Sequence, residues 1–304
     1  MIKKFYIAAF IFLFSPAFLT AEENVQVIAT EAALQESAVP ETAAEPEQEK
    51  EECYNLYYKF PLEREIFYQM NMDKEDEFNV GGRTVKSENK TILYLSQLFE
   101  SVDGEGNGSG KLFYLQGWQD GQRIFPQEKI VTVKMSPKGE VLESAGLQEV
   151  AAEFLKVVQK SLAVYIPGFD RIPLKIDLTK VPSNTFNPFL QSFIMPLPEE
   201  PVAVGEKWHK GDRNMGEVEF TLEKAEGGRA YIKMHSKGRN GVMEGNAVFD
   251  MEQGIIVSQK AKTDTEAAGR IVERIAKEIE SPDKSQPVNI PAKTRLVISM
   301  NLME

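Results

Sequence analysis

Alternation of apolar and polar residues with a period of two, recurring from Tyr57 to the C-terminus, is the feature that most limits what this chain can fold into. Ile66, Tyr68, Met70 and Met72 alternate with Phe67, Gln69, Asn71 and Asp73, and Val218, Phe220 and Leu222 alternate with Glu217, Glu219, Thr221 and Glu223. Near the end, Leu296, Ile298, Met300 and Leu302 share one face opposite Arg295, Ser299 and Asn301. Successive strand side chains point to opposite faces, so each run has a face for a core and a face for water. Gly81-Gly82, Asp120-Gly121, Pro137-Lys138-Gly139, Gly227-Gly228, Asn240-Gly241 and Gln253-Gly254 fall between such runs, where hairpin turns belong. The pattern predicts an antiparallel meander of roughly ten strands.

Three stretches read as helix. Val150, Phe154, Val158 and Leu162 recur at helical spacing between Gln148 and Tyr165, and Ile166-Pro167-Gly168 stops them. Ile271, Ile275 and Ile279 stand every four residues between Glu266 and Glu280; a strand face would also fit, but the length and the Ala, Glu and Arg content favour helix. Asn187-Pro188 is a cap followed by a first-turn proline. The expected fold is therefore mainly β with α: a curved antiparallel sheet or half-open β-barrel with two or three packed helices.

The N-terminus reads as an export signal spanning residues 1–21. Lys3 and Lys4 precede an apolar core from Phe5 to Phe14, Ser15-Pro16 breaks it, and Leu19-Thr20-Ala21 ends on a small residue. An uncleaved anchor is the competing reading, but the apolar run is shorter than the roughly 20 residues a span requires. No later segment is apolar and long enough to span as a helix, so no membrane span is expected after cleavage. Lipidation needs a cysteine directly behind the core, and the chain's one cysteine is Cys53. One cysteine allows no internal disulfide, so the fold must rest on its own core. The expected location is periplasmic or secreted.

Residues 22–54, rich in Ala, Glu, Gln, Thr and Pro, have too little apolar surface to offset their ordering entropy and read as a disordered acidic segment. Residues 55–304 read as one β-rich domain, with two related halves at 55–165 and 196–304 suggested by a local parallel. Val133-Lys134-Met135-Ser136-Pro137-Lys138-Gly139-Glu140-Val141 and Val248-Phe249-Asp250-Met251-Glu252-Gln253-Gly254-Ile255-Ile256 both read strand, tight turn, glycine, strand. A generic hairpin explains the same letters. The formal net charge of −11 argues against nucleic acid, whose phosphates need clustered Lys and Arg.

No catalytic set emerges. The two histidines, His209 and His235, lack zinc spacing, and there is no nucleophile elbow. Asp103-Gly104-Glu105-Gly106-Asn107-Gly108 opens like a calcium loop, but its twelfth position is Tyr114 where a bidentate carboxylate is required. A mobile glycine-rich hairpin tip is the better reading. Glu217 and Glu219 share a strand face and read as solvated. No metal or other cofactor is called for.

The segment from Phe186 to Trp208 is the most informative for function. Phe186, Phe189, Leu190, Phe193, Ile194 and Met195 are strongly apolar, and Pro196, Pro198 and Pro201 then hold the chain extended toward Trp208. So much apolar surface in a connection needs burial, either as a plug at one end of the β core or as a lid over an apolar cavity. These seven residues, Phe186 to Met195 with Trp208, are the candidate ligand-binding set.

Leu197-Pro198-x-x-Pro201-Val202-x-x-Gly205-x-x-Trp208, followed by alternating strands and the Phe249-Asp250-x-x-x-Gly254 turn, resembles a family of uncharacterised bacterial exported and lipoprotein domains over roughly residues 55–304. The resemblance implies export and a β-rich fold and names no activity. In architecture alone, long curved strands with a few helices are similar to periplasmic carriers of lipoproteins and lipids, whose half-barrel holds acyl chains. Two readings follow: a non-enzymatic envelope protein that binds a lipid or other apolar ligand, or an interaction module with a filled core that meets an envelope protein at its edges or loops.

Overall fold

The computed structural model describes residues 52–80, 83–123, 128–150, 152, 190, 194–212, 216–238, 241–266 and 291–303. The expected signal, residues 22–51 of the acidic segment and most of the three helical stretches lie outside the described residues. Alternation does what it predicts: on one face of the strand at 65–80, Ile66, Tyr68, Met70 and Met72 are all buried, as are Val218, Phe220 and Leu222 on theirs.

Two meanders build the sheet. The first comprises β2 (Glu65–Val80), β3 (Arg83–Val102), β4 (Gly108–Gln119) with its short partner β5 (Gln122–Arg123), β6 (Lys129–Met135) and β7 (Val141–Ala145). The second comprises β9 (Lys207–Asp212), β10 (Gly216–Glu226), β11 (Arg229–Gly238), β12 (Gly241–Asp250), β13 (Ile255–Thr265) and β14 (Pro291–Leu302). Pairing of β14 with β2 joins them into one antiparallel sheet with spatial order β7-β6-β4-β3-β2-β14-β13-β12-β11-β10-β9, left open between β7 and β9. A separate two-stranded sheet pairs β1 (Cys53–Tyr54) with β8 (Val202–Ala203), so ordered pairing begins two residues before the domain boundary drawn from composition.

Two or three packed helices are not supported. Helix among the described residues is confined to 147–150, 152 and 190, where Leu147 and Val150 are buried at the start of the first expected helix. The predicted turns are placed well. Asp120 and Gly121 have φ of 48° and 79°, and Gly227 and Gly228 have 57° and 75°, the paired left-handed conformation whose twist suits two-residue hairpins.

The sheet is rolled, and ten residues between β1 and β2 show how strongly. The Tyr58 amide donates to the Pro137 carbonyl in the β6–β7 turn (2.7 Å), and the Lys59 amide donates to the Gly254 carbonyl in the β12–β13 turn (3.1 Å). Donors one residue apart bring the two acceptors within about 10 Å. Along a flat sheet those turns would stand about six strand spacings, roughly 29 Å, apart. The strap from Asn55 to Arg64 therefore crosses one end of a strongly curved sheet, with Leu56 and Phe60 buried beneath it and Tyr58 edge-on to Phe249.

A second connection spans the open side. The Leu197 amide reaches the Lys138 carbonyl, while the Gly205 amide reaches Leu222 in β10, and Leu222 returns its own amide to Glu206. Trp208 stacks on Phe220 at 5.5 Å and donates its indole N–H to the Pro196 carbonyl at 3.1 Å. The Leu-Pro…Pro-Val…Gly…Trp motif thus clamps the seam between the two edges of the roll.

The strap also explains two glycines. At Gly254 (φ 65°) an added Cβ would lie 2.3 Å from the Lys59 nitrogen, and at Gly139 (φ 83°) it would lie 2.7 Å from the Tyr58 ring and 2.8 Å from the Met195 carbonyl. Gly205 has φ 91° but open space around it. Gly254→Ala should cost more than the about 1–2 kcal/mol of left-handed strain alone, because it also displaces the strap, whereas Gly205→Ala should cost only that strain. Urea denaturation of the two variants measures the difference; equal losses would show that the strap contact contributes nothing.

Candidate functional site

The strap roofs an apolar cavity of about 90 Å³ at its end of the concave face. β2 supplies Ile66, Tyr68 and Met70, β3 supplies Leu93, Leu95 and Phe99, and β4 supplies Leu112 and Tyr114. Met135, Ile255, Ile256 and Met300 complete the floor, and Tyr58, Lys59, Phe60 and Pro61 lie above it. The walls follow from alternation: paired residues in an antiparallel sheet share a face, so Met70 stands between Met300 and Leu93. Phe60 packs on Phe99 with ring centroids 4.5 Å apart, which fixes the roof to β3.

Of the residues expected from sequence, Leu190 is buried and Ile194 half-buried, and both line this cavity. Met195 is buried beside it and accepts the Tyr58 hydroxyl hydrogen bond at 2.9 Å through its carbonyl. Trp208 belongs to the seam and not to the cavity wall. Phe186, Phe189 and Phe193 lie outside the described residues. Sequence reasoning missed the strap, although Leu56, Tyr58 and Phe60 alternate just ahead of Pro61.

Among the described residues polar groups near the cavity are few, and one of them, the buried side-chain oxygen of Gln259 on the residue paired with Met300, has no hydrogen-bond partner. Ser96 donates to Glu65 at 2.5 Å. The phenols of Tyr58, Tyr68 and Tyr114 are pushed well above their ordinary value, chiefly by burial, so they stay protonated. Farther along the same concave face the character changes: Lys74 pairs with the fully buried Asp76 at 3.0 Å, and Thr294 donates to Asp76 at 2.6 Å. Ser236, Thr263, Thr265 and Thr91 are buried in the same region. Burial pulls the Lys74 amine down, and Asp76 pulls it partly back. The concave surface is thus apolar under the strap and polar at its other end.

The remaining candidates are structural. Asp103 accepts the backbone amides of Glu105 and Asn107, the Asn107 side-chain amide and the Lys134 ammonium at 3.0 Å, which hold its carboxyl well below the usual range. The hairpin tip is therefore tied to β6, a correction to its reading as mobile. Glu219 lies on the outer face, where Lys207 and then His209 lower its pKa. Cys53 is exposed in β1. Among the described residues no three His, Cys, Asp or Glu side chains converge on a point, and no helix is long and apolar enough to cross a membrane.

The fold and site define a class in coarse terms: an open, rolled antiparallel sheet whose concave face is strapped over an apolar cavity. No protein-family model matches the chain, and no curated protein matches it. Among solved structures it is similar to one described as lipid–protein interactions in lipovitellin, with a TM-score of 0.43 and 8% identity over 81% of this chain and 25% of that one. The chain spans about a quarter of that protein's length.

The buried phenols set an alkaline limit. A raised folded pKa contributes stability that is intact below the unfolded value, about 10 for tyrosine, and is lost as pH rises beyond it. The urea midpoint should hold to about pH 9 and fall between about 10 and 12. Tyrosinate absorbance should appear for the cavity tyrosines only as the protein unfolds, and ionisation of every tyrosine in the folded protein would contradict their burial.

Proposed function

We propose that this chain is an exported, non-enzymatic envelope protein that holds a slender apolar ligand, an acyl chain or similar group, beneath the strap. One observation carries the reading: the cavity at the strapped end is lined almost wholly by aliphatic and aromatic side chains. An apolar chain placed there gains about 0.8 kcal/mol per buried methylene. Export is supported by the charged start, apolar core and small-residue end of residues 1–21. Leu190 and Ile194, two of the apolar residues singled out from sequence, lie at the cavity.

At about 90 Å³ the cavity is smaller than the roughly 300–1,000 Å³ of ordinary ligand sites, so a long chain enters by parting the strap from the sheet. That small volume also favours the second reading, an interaction module with a filled core that binds an envelope protein and no lipid.

Native mass spectrometry of the protein purified from its own envelope fraction, together with displacement of an environment-sensitive apolar dye, separates the two. A carrier should release lipid-sized adducts and bind the dye displaceably. Protein that arrives without adducts and leaves the dye unbound would establish the interaction module instead.

A further inference from the structure

The geometry points to a more specific occupant of the strapped cavity: a single-chain amphiphile with an anionic head, the chain beneath the strap and the head at Lys59. This rests on the carrier reading above and adds the chemistry of the head group. Among the described residues that line the cavity, Lys59 is the one charged side chain. Its ammonium donates to the Glu252 carbonyl at 2.9 Å and lies 5.4 Å from the centre of the Tyr57 ring. A carbonyl dipole and a ring face orient the cation without neutralising it. An ammonium has three donors, and this hydrogen bond uses one of them.

Arg64, at the C-terminal end of the strap, also meets a neutral acceptor: its guanidinium donates to the Gln253 side-chain carbonyl at 2.9 Å. Two cations from one strap therefore meet consecutive residues of the β12–β13 turn, each through a neutral acceptor. Elsewhere in this acidic chain, Lys86, Lys134 and Lys207 sit within 3.2 Å of carboxylates. Glu65 accepts a hydrogen bond from the cavity-lining Ser96 through one carboxylate oxygen and keeps its charge, but no ion pair joins it to Lys59 or Arg64 among the described residues. Among the described residues, the strap thus sets Lys59 and Arg64 against neutral acceptors beside an apolar hollow.

A carboxylate or phosphate at Lys59 makes a charge-assisted hydrogen bond while its chain lies among Phe60, Leu93 and Met300. An alcohol of the same length gains the apolar burial only. Free fatty acids and lysophosphatidates share this chemistry.

The test is dye competition on the delipidated full chain with dodecanoate, dodecanoyl lysophosphatidate and dodecanol. At least one of the two acids should displace the dye at about tenfold or lower concentration than dodecanol. The better acid identifies the source of the head group. Lys59→Met should bring acid and alcohol within about threefold of each other, while Lys59→Arg should retain the preference. A urea midpoint for each variant confirms folding. Equal displacement by acids and alcohol in the unaltered protein, or a preference that survives Lys59→Met, overturns the head-group assignment and leaves the carrier reading standing. Failure of every amphiphile to displace the dye overturns both.

Discussion

The two consecutive backbone hydrogen bonds from Tyr58 and Lys59 to the turns at Pro137 and Gly254 are what the rest of this structure depends on. An eleven-strand path of antiparallel pairing has no preferred radius beyond its natural twist. The two meanders here touch along one pair, β2 with β14, so their opening angle is free until something crosses the concave side. The strap sets it. Leu56 and Phe60 provide the apolar burial that offsets the cost of ordering an extended segment, and the two amides fix where it lies. The cavity is a consequence: a tighter roll would fill it and a flatter one would open it to water.

Curvature of this kind divides the two faces. On the convex side, cross-strand neighbours form exposed ion pairs such as Lys207 with Glu219 and Lys86 with Glu75, which keep a broad surface soluble and contribute little individually. On the concave side, side chains converge and water is excluded. A charge there needs a partner: Lys74 has Asp76, and Thr294 supplies Asp76 with a further hydrogen bond. Lys59 sits instead at the mouth, half-buried, where its charge is still solvated. The difference in their surroundings is why one lysine reads as structure and the other as recognition.

Much of the fold was legible in the sequence because strand registry is written with a period of two, and a one-residue error would turn every apolar side chain outward. Met70, Phe220 and Met300 were assigned to the core face by alternation alone, and they are buried. The hairpins at Asp120-Gly121 and Gly227-Gly228 were legible because their backbone angles demand those residues. The site was legible only in part. Leu190, Ile194 and Met195 stood out as an apolar excess in a connection, but the alternation of Leu56, Tyr58 and Phe60 spans too few residues to tell a strap from the start of a strand. Its partners, Pro137 and Gly254, are distant in sequence, and no local pattern encodes a backbone hydrogen bond between them. Trp208, half-buried, stacks on Phe220 at the seam, a partner that no local pattern announces.

The likeness between the stretches Val133–Val141 and Val248–Ile256 has a physical account that needs no shared history. The two hairpins occupy different places, one at the edge of the sheet and one well inside it. Their tips are stabilised differently: Ser136 caps the first through its hydroxyl and Asp250 the second through its carboxylate. What they share is a left-handed glycine against which the strap lies, Gly139 under Tyr58 and Gly254 under Lys59. Any pair of hairpins docking one extended segment through adjacent residues must leave room at both tips and present a carbonyl there. Strand, turn, glycine, strand is the sequence that does so, and its recurrence marks the two points at which the sheet is held in its curve.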